Sequence, residues 1–199
     1  MNTACKSYCT FLILLTCCFS SHSQTDPIIS QINNYCDSID KVTAIQTVHK
    51  TGAGISLEYI ISKGEILKIL EQPSGYKYIS AKETYYFQNN KSIYVSVDIE
   101  ISSEEGDKLI IELHKIYLDN NHIIKHLAYE QSFDADSLYN NNPDPVRTSE
   151  NIRKKAELKS VGTDRKFEKS LLQTIESYLK ARSIKDGDLI LNQLFSPFI

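Results

Sequence analysis

The chain has 199 residues, 41% apolar and 24% charged, with 22 Lys and Arg against 25 Asp and Glu for a formal net charge of −3. That much apolar content supports a packed core and excludes an intrinsically disordered chain. The near-balance of charge excludes a protein built around a basic nucleic-acid surface.

The N-terminus reads MNTACKSYCTFLILLTCCFSSHSQTD, with Lys6 its only charged residue before Asp26. A short apolar run, Phe11 to Phe19, is followed by Ser21-His22-Ser23, which places small residues before Gln24. This is the layout of a secretory signal peptide over residues 1–23, and the run is about half of the ~20 residues needed to span a bilayer. Leu14-Leu15-Thr16-Cys17 resembles a lipobox, so a lipid anchor at Cys17 is the alternative, with Thr16 departing from the usual small residue. On either reading the mature chain is expected to be exported, periplasmic or secreted, with no transmembrane helix. Cleavage after Ser23 removes four of the five cysteines and leaves Cys36, so no internal disulfide is expected. Cys36 reads as a small apolar residue on a helix.

Asp26-Pro27 is a helix start, a capping oxygen followed by a residue that needs no amide hydrogen. Ile28, Ile32, Tyr35, Ile39 and Val42 then recur on one face of a helix from about Pro27 to Lys41. From Thr43 to Gln131 the period changes to two. Strands are expected at Ala44–His49, Ile55–Ile61, Ile66–Glu71, Tyr76–Ser80, Lys82–Phe87, Ile93–Ile101, Lys108–Leu118 and Ile123–Glu130. In the clearest one, Ile93, Val95, Val97, Ile99 and Ile101 alternate with Tyr94, Ser96, Asp98 and Glu100, which predicts one buried and one wet face.

The stretch YYFQNNKSIYV, Tyr85 to Val95, is echoed by IYLDNNHIIKH, Ile116 to His126, and in weaker form by EYIISKGEILKI. Asn tolerates the positive φ that tight hairpin turns require, so Asn89-Asn90, Asn120-Asn121 and Lys63-Gly64 mark three hairpin tips in series. The expected fold is therefore α+β: an N-terminal helix packed on a curved antiparallel β-meander over residues 24–146, with C-terminal helices over 147–199 packed on the same domain. The hairpins resemble the Y-[YF]-x-[DN]-[NG]-K hairpins of exported bacterial proteins to which no activity is attached. Helix followed by meander is similar to cystatin-like and inhibitor-like folds.

Charge divides sharply along the chain. Residues 24–146 hold 10 Lys and Arg against 18 Asp and Glu, whereas residues 147–185 hold 11 against 5. A basic tail, including Lys154, Lys155, Arg165 and Lys166, is expected to dock on the acidic body or to meet an acidic partner. The polar stretch from Ser132 to Val146 reads as a linker. Its acids fail the calcium-loop register at Tyr139 and Pro145. A charged helix is expected from Ser149 to about Ser160. A second, capped by Asp164, carries the stripe Phe167, Leu171, Leu172, Ile175, Tyr178, Leu179 and Arg182. The apolar end, LILNQLFSPFI, is expected to be buried or to bind something.

Chemistry is thinly marked. There is no P-loop, dinucleotide fingerprint, HExxH or nucleophile elbow, and no cofactor is expected. His122 and His126 are expected on one strand face, with Asp119 opposite His122 and Lys115 opposite His126, and His114 on the other face. A metal on His122, His126 and Asp119 is disfavoured by that lysine. The leading expectation is a non-enzymatic periplasmic or cell-surface module that binds a protein or glycan through Tyr85, Tyr94 and Tyr117, and no nucleic acid. The alternatives are a carrier with an apolar pocket between sheet and helix, and a hydrolase or metal-dependent enzyme using His122, His126 and Asp119.

Overall fold

A computed structural model describes residues 25–42, 46–52, 55–73, 76–140 and 144–182. The expected signal segment, Cys17 and the apolar C-terminal end lie outside the described residues. Two compact units divide between Lys41 and Val42.

The first unit contributes α1, Thr25–Asp40. Its buried positions are Ile29, Ile32, Cys36 and Ile39, while Ile28 is exposed; Val42, expected on the same stripe, is exposed too and lies beyond the helix, at the start of the second unit. The apolar face is thus rotated from the one expected. Ile28 and Ile29 compete for it in sequence, and Cys36 completes the stripe through Ile29.

The second unit is a meander in which spatial order follows chain order. Its strands are β1 Gln46–Gly52, β2 Ile55–Ser62, β3 Glu65–Pro73, β4 Ile79–Gln88, β5 Lys91–Ser102, β6 Lys108–Asp119, β7 His122–Asp134 and β8 Lys159–Ser160. Among the described residues they form one 8-stranded sheet, antiparallel at every pairing. Between β7 and β8 come α2, Ala135–Asn140, and α3, Pro145–Lys155; α4, Arg165–Ala181, follows. The order expected from sequence, a helix, an antiparallel meander and then helices, is the order observed.

The echoed sequences form three equivalent hairpins, β2–β3, β4–β5 and β6–β7. Their tips have positive φ at both turn residues: 51° and 85° at Lys63 and Gly64, 51° and 59° at Asn89 and Asn90, 49° and 63° at Asn120 and Asn121. This backbone matches the right-handed twist of the flanking strands. Each hairpin also carries a bulge at the same offset from its tip. Ile60 pairs with Lys68 but Ile61 with Ile66; Tyr86 pairs with Tyr94 but Phe87 with Ser92; Tyr117 pairs with Lys125 but Leu118 with Ile123. Leu67, Ile93 and Ile124 are the extra residues, and each inverts the in–out alternation of its strand.

One face of the sheet is covered by α4. Asp164 caps this helix, accepting from the Phe167 amide at 2.7 Å. Leu171, Ile175, Tyr178 and Ala181 pack into Leu57, Tyr59, Ile61, Ile69, Tyr85, Phe87, Val95, Val97, Ile116 and Leu118. Each large side chain buried this way contributes about 1.5–3 kcal/mol. The helix spans from one repeated tip to another: Glu168 accepts from the Ile123 amide at 3.0 Å, and Arg182 donates to the Gly64 carbonyl at 3.2 Å. The Tyr59 hydroxyl donates to the Tyr178 carbonyl at 2.7 Å, tying β2 to the last turns.

The opposite face is not wet as expected. Tyr94 is 8% exposed and Tyr117 3%. With Tyr86 they form a cross-strand ladder, ring centroids 5.6 and 5.0 Å apart, and the Lys68 ammonium lies 5.0 Å from the Tyr86 ring. Further along this face Arg153 of α3 donates to both Asp98 oxygens at 2.9 and 2.8 Å and to Glu100 at 2.9 Å. Those acids were expected on a solvated surface; they anchor a helix. That helix starts at Pro145 with Asp144 as its cap, earlier than expected, and gives way to β8 instead of continuing to Ser160. The expected linker contains the end of β7 and α2.

Candidate functional site

Under α4 the meander places a row of partners across the sheet: Leu57, Glu71, Glu83, Val97, His114 and Ala128. The two glutamates occupy adjacent strands in direct register, 1% and 0% exposed. The Tyr85 hydroxyl donates to Glu83 Oε2, and the Tyr178 ring stands edge-on to Tyr85 with centroids 5.4 Å apart. Glu71 Oε2 and the Tyr178 hydroxyl, both fully buried, lack a hydrogen bond of ordinary geometry, though each acts on the other electrostatically. Burial, then the Glu83 charge and its hydrogen bond, push the Glu71 carboxyl up to about 8. Burial raises the Tyr85 and Tyr178 hydroxyls as well. A carboxyl pair of this kind can exchange a proton. Its exposure is too small for a substrate to reach it from solvent.

A second titratable pair lies on the same face, towards the start of α4. His114 Nδ1 is 3.0 Å from His126 Nε2, and Phe167 stacks on the His126 ring with centroids 5.4 Å apart. Burial, then the neighbouring His114, lower His126 to about 4; burial lowers His114 too, against the Glu130 charge. His114 Nε2 lies 3.8 Å from Glu112, whose carboxyl is raised by burial and by Glu130.

The bulge at Ile124 explains this pairing and corrects the expected one. Without it, His122 and His126 would share a face. With it, His126 stands opposite Ile116 and joins His114, Leu127 takes the place opposite Lys115, and His122 stays opposite Asp119 on the other side. The exposed His122 reaches Glu168 at 3.3 Å. His122, His126 and Asp119 are therefore not brought together. Among the described residues no group of three or more His, Cys, Asp or Glu converges on a point that would hold a metal.

The other expected positions are scattered. Tyr85 lies under α4, Tyr94 and Tyr117 on the opposite face, so the three form no common surface. Lys154, Lys155, Arg165 and Lys166 are exposed, and Lys154 pairs with Glu150 at 3.9 Å. The basic residue that fastens this segment to the sheet is Arg153, which sequence reasoning passed over because a run of three cations gives no hint of which one faces inward.

An accessible feature lies at the sheet margin. β8 pairs only with Leu127 and Ala128 of β7, and among the described residues no strand pairs with the outer edge of Tyr129–Asp134. A groove of about 540 Å³ runs beside this edge, lined by Tyr129, Glu130, Phe133, Ile152, Lys155 and Lys159. No helix among the described residues is long and apolar enough to cross a membrane. No protein-family model, curated protein or solved structure matches the chain.

Proposed function

We propose that this chain is an exported, non-enzymatic binding module that receives an extended peptide segment of a partner protein along the outer edge of β7. The observation that carries the reading is the edge of Tyr129–Asp134, which no strand among the described residues pairs, beside a groove of mixed apolar and charged lining. An unpaired strand edge presents backbone donors and acceptors in register for another strand, and pockets alongside it sort the incoming side chains. β8 already adds to β7 in this way over two residues. The lining combines Tyr129, Phe133 and Ile152 with two lysines, Lys155 and Lys159, and two glutamates, Glu130 and Glu157, which favours a peptide of mixed charge over a nucleic acid.

The alternatives have less behind them. An enzyme would need its acid–base groups within reach of substrate, and Glu71 and Glu83 are sealed beneath α4. A carrier would need space between helix and sheet, and Tyr85, Phe87, Leu171 and Tyr178 fill that layer. The export part of the proposal rests on the N-terminal pattern, and sequencing the N-terminus of the protein recovered from the envelope and the medium tests it.

A selection from a displayed random-peptide library tests the binding site. Selected peptides are expected to protect the Tyr129–Asp134 amides from hydrogen exchange. They are expected to bind at least tenfold more weakly to the double variant Lys155→Glu, Lys159→Glu. Protection centred on another part of the sheet would refute the assignment.

A further inference from the structure

The two ends of α4 rest on different chemistry: an imidazole pair under Phe167 near its start, and a carboxyl pair beside Tyr178 near its end. We propose that Glu71 and Glu83 hold a single proton between them, and that this proton fastens the C-terminal half of α4 to the sheet.

The geometry sets the requirement. Two carboxyls in direct register, both within an apolar layer, cannot both be charged at acceptable cost. β3 presents Glu71 to the site, and β4 presents Glu83 and Tyr85. The α4 helix presents Tyr178. Strands β2 and β5 place Leu57 and Val97 at either end of the pair. Tyr59 of β2 uses its hydroxyl on the Tyr178 carbonyl. Arg182, at the end of α4, acts on Tyr59 and is bonded to Gly64, so the groups acting on Glu71 itself are Glu83 and Tyr178. A shared proton satisfies this arrangement: one carboxyl donates, the other accepts, and the charge that remains is steadied by the Tyr85 hydroxyl. No third His, Cys, Asp or Glu among the described residues joins the two carboxyls in a cluster that would hold a metal ion.

Undocking α4 returns the pair to water. Glu71 then regains an ordinary carboxyl value and releases its proton. The docked state therefore holds a proton that the undocked state lacks, from the ordinary carboxyl range up to about 8. Each pH unit inside that window shifts docking about tenfold towards release. The imidazole pair is neutral when docked and largely neutral when undocked above pH ~7, so the interval from there upward isolates the carboxyls.

Hydrogen exchange on the full chain provides the test. After correction for intrinsic exchange, protection of the Thr174–Ala181 amides is expected to fall about tenfold from pH 7 to 9 and then level off. In Glu71→Gln, which fills the same space without titrating there, protection is expected to be flat. Glu112 is also raised but is retained in that variant, so the difference belongs to Glu71. An equal slope in both proteins, or no slope in the wild type, overturns the proposal. Should the variant fail to fold, infrared spectroscopy of the wild type decides. A protonated-carboxyl band present at pH 7 and lost in step with helix protection supports the shared proton, and its absence at pH 7 overturns it.

Discussion

Asn121 and Tyr85 show how much single residues contribute here. Asn121 holds φ 63°, in the left-handed region where a Cβ meets the following carbonyl unless a short polar side chain compensates. Asn121→Ala is expected to lower stability by about 1 kcal/mol and Asn121→Gly to stay within about 0.5 kcal/mol, both measured by urea unfolding. Tyr85 lies wholly inside the core and donates a hydrogen bond to Glu83. Tyr85→Phe keeps the ring against Tyr178 but strands a buried acceptor, so a loss of about 1–3 kcal/mol is expected in the same assay. These two residues also mark what the sequence reveals at this scale. The asparagine pairs announce their backbone, because few residues accept positive φ. Nothing in the sequence distinguishes Glu71 and Glu83 from exposed glutamates, because their state comes from the helix that later covers them.

At the scale of elements, the tips and most strand spans were legible. The period-two runs and turn residues placed β2, β3, β5 and β6 to within about two residues, and the cap at Asp164 marked the start of α4. The bulges were not. Leu67, Ile93 and Ile124 are as apolar and strand-favouring as their neighbours, so no residue type betrays the extra position. That gap is why the histidine faces were misassigned; Tyr94 looked solvent-facing for another reason, that the second face of the sheet is also buried there. The start of α3 was overlooked although Asp144-Pro145 repeats the cap-and-proline signal of Asp26-Pro27; the surrounding asparagines suggested a linker. The docking of α3 depends on one half-exposed cation between two half-exposed acids. Arg153→Met, which retains the apolar stem, is expected to cost about 1 kcal/mol at low salt and less at high salt. It should also raise the exchange rate of the α3 amides. A salt-independent loss would assign the contact to packing instead.

For the whole molecule, the two titratable pairs imply a stability optimum bounded on both sides. His126 is depressed in the folded chain, so its contribution is complete above pH ~6.5 and declines as pH falls from there towards about 4. Glu71 is raised, so its contribution is complete below the ordinary carboxyl range and declines as pH rises to about 8. Urea midpoints collected from pH 4 to 9 are expected to fall in both directions from a weakly acid maximum. His126→Gln should flatten the acid limb and leave the alkaline limb intact. A wild-type midpoint that rises steadily from pH 6.5 to 9 would contradict the carboxyl half of this account.

Strand order that follows chain order has a consequence for how the native state is reached. Every sheet pairing from β1 to β7 joins neighbours along the chain, so each hairpin can form as soon as its own residues are available, and zipping needs little loop closure. The contact between Tyr59 and Tyr178 is different, since it bridges 119 positions. Closing that span is the entropically dear step, and it comes after a preformed surface exists to reward it. The arrival of α4 on an assembled sheet is therefore the expected slow event in refolding, and it is the event that covers Glu71, Glu83 and His126. Glu71 and His126 thereby couple acidity to that late step.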